Sequence, residues 1–137
     1  MIQYGFDIEA VDGFMRTPLY YACSKGLVMA VEFLLDQDAS IEAANFIGER
    51  PLHAACFTGH SVIVQRLLNR GANADSANIR GETPLHYACL WGEPTVALTL
   101  TARGANIWAA NHEGETPLHY AISNAHPYIV SLLVSAS

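Results

Sequence analysis

Cys23, Cys56 and Cys89, with His53, His86 and His119 close by, are the side chains of this sequence best suited to chemistry. Thiolate and imidazole are the usual ligands of zinc and the usual partners in a nucleophile–base pair. Their spacing argues against both uses. Each set recurs at intervals of 33 residues, and groups repeated at a fixed interval sit on successive layers rather than around one atom. Stacked helical layers lie roughly 8 to 10 Å apart, beyond the ~7 Å reach of a disulfide and farther still from converging on a metal with bonds of ~2.3 Å. Small, buried, inert thiols are the expectation. A catalytic histidine is usually unique, and no Ser-His-Asp grouping, phosphate-cradling glycine loop, HExxH run or CxxC pair is present. The sequence therefore predicts no catalytic residue, metal, cofactor or small-molecule substrate: the chain is expected not to be an enzyme.

The elements that position these residues follow from the same period. Pro18, Pro51, Pro84 and Pro117 each follow the last by 33 residues, inside Thr17-Pro18-Leu19-Tyr20, Arg50-Pro51-Leu52-His53, Thr83-Pro84-Leu85-His86 and Thr116-Pro117-Leu118-His119. Gly26, Gly59 and Gly92 keep that register, as do Gly71-Ala72-Asn73 and Gly104-Ala105-Asn106. In the third copy Thr83 can cap a helix that starts at Pro84, where a missing N–H costs nothing, and that runs to about Trp91. Gly92 breaks it. A second helical pattern over Val96, Ala97 and Leu100 ends at Arg103-Gly104, where glycine supports a left-handed stop. Asn45-Phe46-Ile47-Gly48, Asn78-Ile79-Arg80-Gly81 and Asn111-His112-Glu113-Gly114 carry the Asx and glycine signals of tight turns, which should project as fingers.

The 33-residue period, the Thr-Pro-Leu-His run and the Gly-Ala-Asn tail resemble the ankyrin repeat over about residues 5 to 137. That resemblance implies an all-α solenoid of stacked antiparallel helix pairs with projecting hairpin or turn fingers, and protein binding on its concave face. It also implies that the recurring histidines tie successive layers by hydrogen bonds. The expected organisation is a single domain: a preceding repeat's tail over 1–11, repeat 1 over 12–44, repeat 2 over 45–77, repeat 3 over 78–110, and an incomplete repeat 4 over 111–137. The end helices lack a polar outer face, so a segment of a longer protein, monomeric within it, is expected, with a short natural protein with weak caps as the alternative. By resemblance the free binding positions are the fingertips and the open face of each first helix: Phe14, Phe46, Ile47, Phe57, Thr58, Ile79, Arg80, Leu90, Trp91, His112, Glu113 and Asn124. Phe46, Ile47, Phe57, Ile79, Leu90 and Trp91 should form an apolar patch flanked by Arg80, as partner sites often do.

Composition narrows the partner. Of 137 residues 51% are hydrophobic, enough for one core, and 13 acidic against 7 basic residues give a formal charge of −6. Such a surface repels a phosphate backbone, so nucleic acid is a poor candidate. No apolar run approaches the roughly 18 to 20 residues of a membrane span, and Met1-Ile2-Gln3-Tyr4-Gly5 lacks the form of a signal peptide; a cytoplasmic or nuclear setting is expected. A protein or peptide partner is the leading expectation, and a spacer packed on its own flanking domains the alternative.

Several positions depart from the pattern. Met15 stands for the finger glycine, Tyr20 for the histidine, Asp38 for the tail glycine, Arg50 for the capping threonine and Ala125 for the inter-helix glycine. Glu49, Glu82 and Glu115 recur beside the fingers and are expected to be a solvated charge row, with an acidic stripe steering a basic partner as the alternative. Trp108 takes the loop position of Glu9, Glu42 and Asp75, as either a binding aromatic or a cover for the junction between repeats 3 and 4.

Overall fold

The computed structural model describes residues 7–137; Gly5 and Phe6, on which the preceding repeat's tail partly rests, lie outside them. Among the described residues eight helices follow in order: α1 (Pro18–Lys25), α2 (Val28–Asp36), α3 (Pro51–Phe57), α4 (Ser61–Asn69), α5 (Pro84–Trp91), α6 (Pro94–Ala102), α7 (Pro117–Ser123) and α8 (Pro127–Ala136). The first helix of repeat 3 spans the residues its cap and glycine predict. Each first helix starts at a proline, and Thr17, Thr83 and Thr116 accept from the N–H three residues on. These are the orphan donors that a helix start must place.

The stack forms because a short helix of seven to ten residues cannot bury its apolar face alone. Helices α1, α3, α5 and α7 pack in one row, and α2, α4, α6 and α8 in another, each pair packed within itself. Between the rows lie Leu19, Leu52 and Leu85 from the first helices, and Val31, Val64 and Ala97 from the second. Cys23, Cys56 and Cys89 are free and buried among them; burial pushes the Cys23 and Cys89 thiols up to about 12 and Cys56 well above its usual range. Such thiols are not nucleophiles at neutral pH. Among the described residues no group of His, Cys, Asp and Glu is arranged to hold a metal, and no helix is long and apolar enough to cross a membrane.

Close stacking explains the inter-helix glycine. A Cβ on Gly92, at φ 71°, would lie 2.5 Å from the ring of His126 in the next layer. Ala125 keeps the left-handed backbone (φ 56°) at the corresponding place in repeat 4, and is exposed.

Candidate functional site

The fingers are built from the sequence upward by one asparagine each. Asn78 Oδ1 accepts from the N–H groups of Arg80 (2.9 Å) and Glu82 (3.0 Å), bending the chain into a turn that the Asn78–Glu82 backbone bond closes. Asn45 and Asn111 do the same in their repeats. Neighbouring fingers are joined by Phe46 N–H to Phe14 O, Ile79 N–H to Ile47 O and His112 N–H to Arg80 O. These isolated bonds align the fingers without making a ladder, and no strand is present among the described residues. The fingers are therefore turns rather than paired hairpin strands.

The glutamate row is hydrogen-bonded into the scaffold, and the expectation of a solvated charge row is corrected at its most buried member. Glu82 is only 7% exposed. Its Oε1 accepts from Asn78 Nδ2 (2.9 Å) and its Oε2 from the Tyr120 hydroxyl of the following repeat (2.5 Å). Glu49 likewise accepts from Asn45, from Tyr20 of the preceding repeat (3.1 Å) and from Tyr87 of the following one (2.5 Å). Burial and the carboxylate push the Tyr120 hydroxyl up to about 12 and those of Tyr20 and Tyr87 higher still, so all three remain donors. The histidines make a parallel tie: Nδ1 of His86 accepts from Thr83 N–H (3.1 Å), and Nε2 meets the Glu115 carbonyl one repeat on (2.9 Å). His53 does the same between Arg50 N–H and Glu82 O. Since Nδ1 must accept, Nε2 carries the proton and the ring is neutral.

Between fingers and first helices this floor carries two adjoining cavities. One, of about 250 Å³, is walled by Ile47, Phe57, Leu90 and Trp91, with Arg80 at its rim and Glu49, Glu82 and Tyr87 beneath. Phe57 packs on Tyr87 and Trp91 at centroid distances of 6.2 and 6.4 Å, and Trp91 remains 57% exposed. The second, of about 370 Å³, is polar and is bordered by Ile79, Arg80, His112 and Glu113 over Glu82, Asn111 and Tyr120.

A family model described as ankyrin repeats matches residues 1–78, 30–111 and 63–137. The chain belongs to the ankyrin-repeat family. Members of that family are in general protein–protein interaction modules, and the fold is typically non-catalytic. No curated protein matches the chain.

On this ankyrin surface the residues expected to bind separate into groups. Ile47, Phe57, Arg80, Leu90 and Trp91 come together on the first cavity, and Ile79, His112 and Glu113 join Arg80 on the second. Phe46 instead packs against Phe14 with the rings tilted (centroids 5.6 Å apart) at the fingertips, where Arg16 lies over the Phe14 ring. Thr58 and Asn124 border neither cavity: Thr58 Oγ1 donates to Ala54 O (2.8 Å) and Asn124 Nδ2 to Tyr120 O (2.8 Å), finishing their own helices. Sequence reasoning missed the floor of Tyr87, Tyr120, Glu49 and Glu82. The available signal was that Asn, Glu and Tyr recur at the repeat period; polar residues so repeated are more often scaffold than surface.

Two departures acquire causes. Arg50 cannot cap as threonine does; its Nη1 donates to Gly48 O (2.8 Å) and Ala77 O (3.0 Å), tying finger to loop, while its Nε stands 4.0 Å from Glu42 without a hydrogen bond. At the loop position of Trp108, Glu9, Glu42 and Asp75 accept from the N–H of Ser40, Asn73 and Asn106 respectively, each in the next loop. An indole cannot accept such a bond, and Trp108 is 62% exposed.

Proposed function

We propose that this chain is a non-catalytic recognition module that holds a peptide or folded protein segment in the groove between its fingers and first helices, as part of a larger scaffold, adaptor or signalling protein. One observation carries the reading: the apolar cavity of repeats 2 and 3, with a half-exposed tryptophan at its mouth and a hydrogen-bonded floor that fixes its shape. A large exposed aromatic over an apolar pocket is the kind of group that dominates interface energies, and a floor already ordered spares a partner the entropy of arranging it.

The test is calorimetric titration of a bound partner against single variants. Trp91→Ala and Phe57→Ala should each weaken binding by about 2 kcal/mol or more, while Lys25→Ala and Asn124→Ala leave it nearly unchanged. Unaltered affinity in both aromatic variants would remove the central groove from consideration.

A further inference from the structure

Arg80 differs from the other arginines of the chain. Arg16 pairs with Asp12 (2.8 Å), Arg66 with Glu32 (2.5 Å), Arg70 with Asp36 (3.1 Å) and Arg103 with Asn69 (2.5 Å), and Arg50 is held by two carbonyls. Among the described residues Arg80 alone has a guanidinium with no acceptor, and it is exposed. Its place is the boundary between the two cavities, which both include it.

Carboxylates are near, and those of the apolar cavity are spoken for. Glu49 and Glu82 border the same cavity, but they accept from Tyr20, Tyr87 and Asn45, and from Tyr120 and Asn78, and Glu82 is buried. Glu113 borders only the second cavity, away from the apolar walls. A planar fork of donors is thus presented unpaired at the rim of an apolar pocket, and its matching group is a carboxylate held in two parallel bonds.

We infer that the occupant of this groove is a peptide segment that seats one bulky apolar side chain between Phe57, Leu90 and Trp91 and sets an aspartate or glutamate side chain on Arg80. Because Arg80 stands on the rim of that same cavity, the two side chains are roughly two to four residues apart in an extended segment at about 3.3 Å per residue. This inference rests on the groove being the binding site proposed above. The overall charge of −6 opposes an acidic ligand at long range, where salt screens, and Glu49 and Glu82 beneath the cavity oppose it locally; their oxygens already accept from Tyr and Asn donors, which leaves the Arg80 fork as the unpaired charged donor at the rim.

The test is selection of random peptides displayed on phage through their C-termini, so that acidic side chains are the carboxylates offered, against the native chain and against Trp91→Ala. Enriched peptides should need Trp91 and should share a bulky apolar residue with Asp or Glu two to four positions away. A synthetic copy should bind Arg80→Ala about tenfold more weakly, with partial recovery in Arg80→Lys, which restores charge but not the fork. Selection on Arg80→Glu should move the acidic position to Lys or Arg. Peptides that need Trp91 but carry no acid there, or carry a basic residue, overturn the acidic assignment while leaving the groove in place. Peptides indifferent to Trp91, or no enrichment over bare support, overturn the groove reading and this inference with it.

Discussion

At the finger of repeat 3, Asn78 folds the turn, Glu82 lies beneath it, Gly81 takes the left-handed position and His86 ties the layer to Glu115 O. At the finger of repeat 1 every one of those residues is different. Asp12 folds the turn by accepting from Phe14 and Arg16 N–H, and Arg16 replaces the glutamate in an ion pair with it (2.8 Å). Met15 occupies the left-handed position at φ 63°, and Tyr20 replaces the histidine, reaching Glu49 by a side-chain bond (3.1 Å). The Tyr21 hydroxyl and Arg16 hold the Asp12 carboxyl below its usual range. The backbone course is common to both because stacking demands it. Repeat 3 meets that demand with buried bonds to the main chain, and repeat 1 with more exposed charge pairs and locally strained residues.

On that contrast the largest effect belongs to His86. Replacing it with alanine leaves the Thr83 N–H and the Glu115 carbonyl unpaired at a fully buried site and opens a cavity, and should cost about 3 kcal/mol in urea unfolding. Tyr20→Phe, which removes one partly buried hydroxyl, should cost about 1 kcal/mol. Equal costs would erase the distinction.

Acid sharpens it next. Burial, opposed by the carbonyls of Glu82 and Glu115, sets His53 and His86 below the usual imidazole range. The unfolded imidazoles titrate near ~6.5; below that the unfolded state binds more protons than the folded one, so stability is lost as pH falls from 6.5 toward the folded values and is intact above. The urea midpoint should therefore drop between about pH 7.5 and about pH 5.5, and drop less in His86→Gln. An undiminished drop in that variant would place the acid sensitivity elsewhere.

Smaller gains are expected from relieving strain in repeat 1. Asp38 sits at φ 63°, exposed, and its carboxylate makes no hydrogen bond among the described residues. Asp38→Gly and Met15→Gly should each raise stability by about 0.5 to 1 kcal/mol, whereas Gly81→Met should lower it, because a Cβ there lies 3.0 Å from the backbone of Asn111. A loss on Asp38→Gly would mean that its side chain outweighs the strain.

The smallest effect is expected at Arg50. Sequence alone predicts about 1 kcal/mol gained on restoring threonine, but the variant forfeits the bonds to Gly48 and Ala77, worth about as much. The net change should lie within about 0.5 kcal/mol, and a full 1 kcal/mol gain by thermal unfolding would show those bonds to be idle.

What the sequence determined by itself is the repeat, the helix starts and stops, and the family, because these depend on local rules: a proline after a capping threonine, a glycine where φ is positive, an apolar stripe of fixed period. It also picked out the apolar side chains of the groove, since they occupy positions the scaffold leaves free. What only the tertiary structure decided is the fate of the polar residues. Glu49 and Glu82 look like solvent-facing charges until Tyr87 and Tyr120, each 38 residues along the chain, arrive from the next layer to claim them, and Arg80 looks like any surface arginine until the carboxylates of the apolar cavity prove engaged. A hydrogen bond between layers is set by how far one repeat is rotated and shifted on the next, a quantity of ångströms that no single repeat encodes.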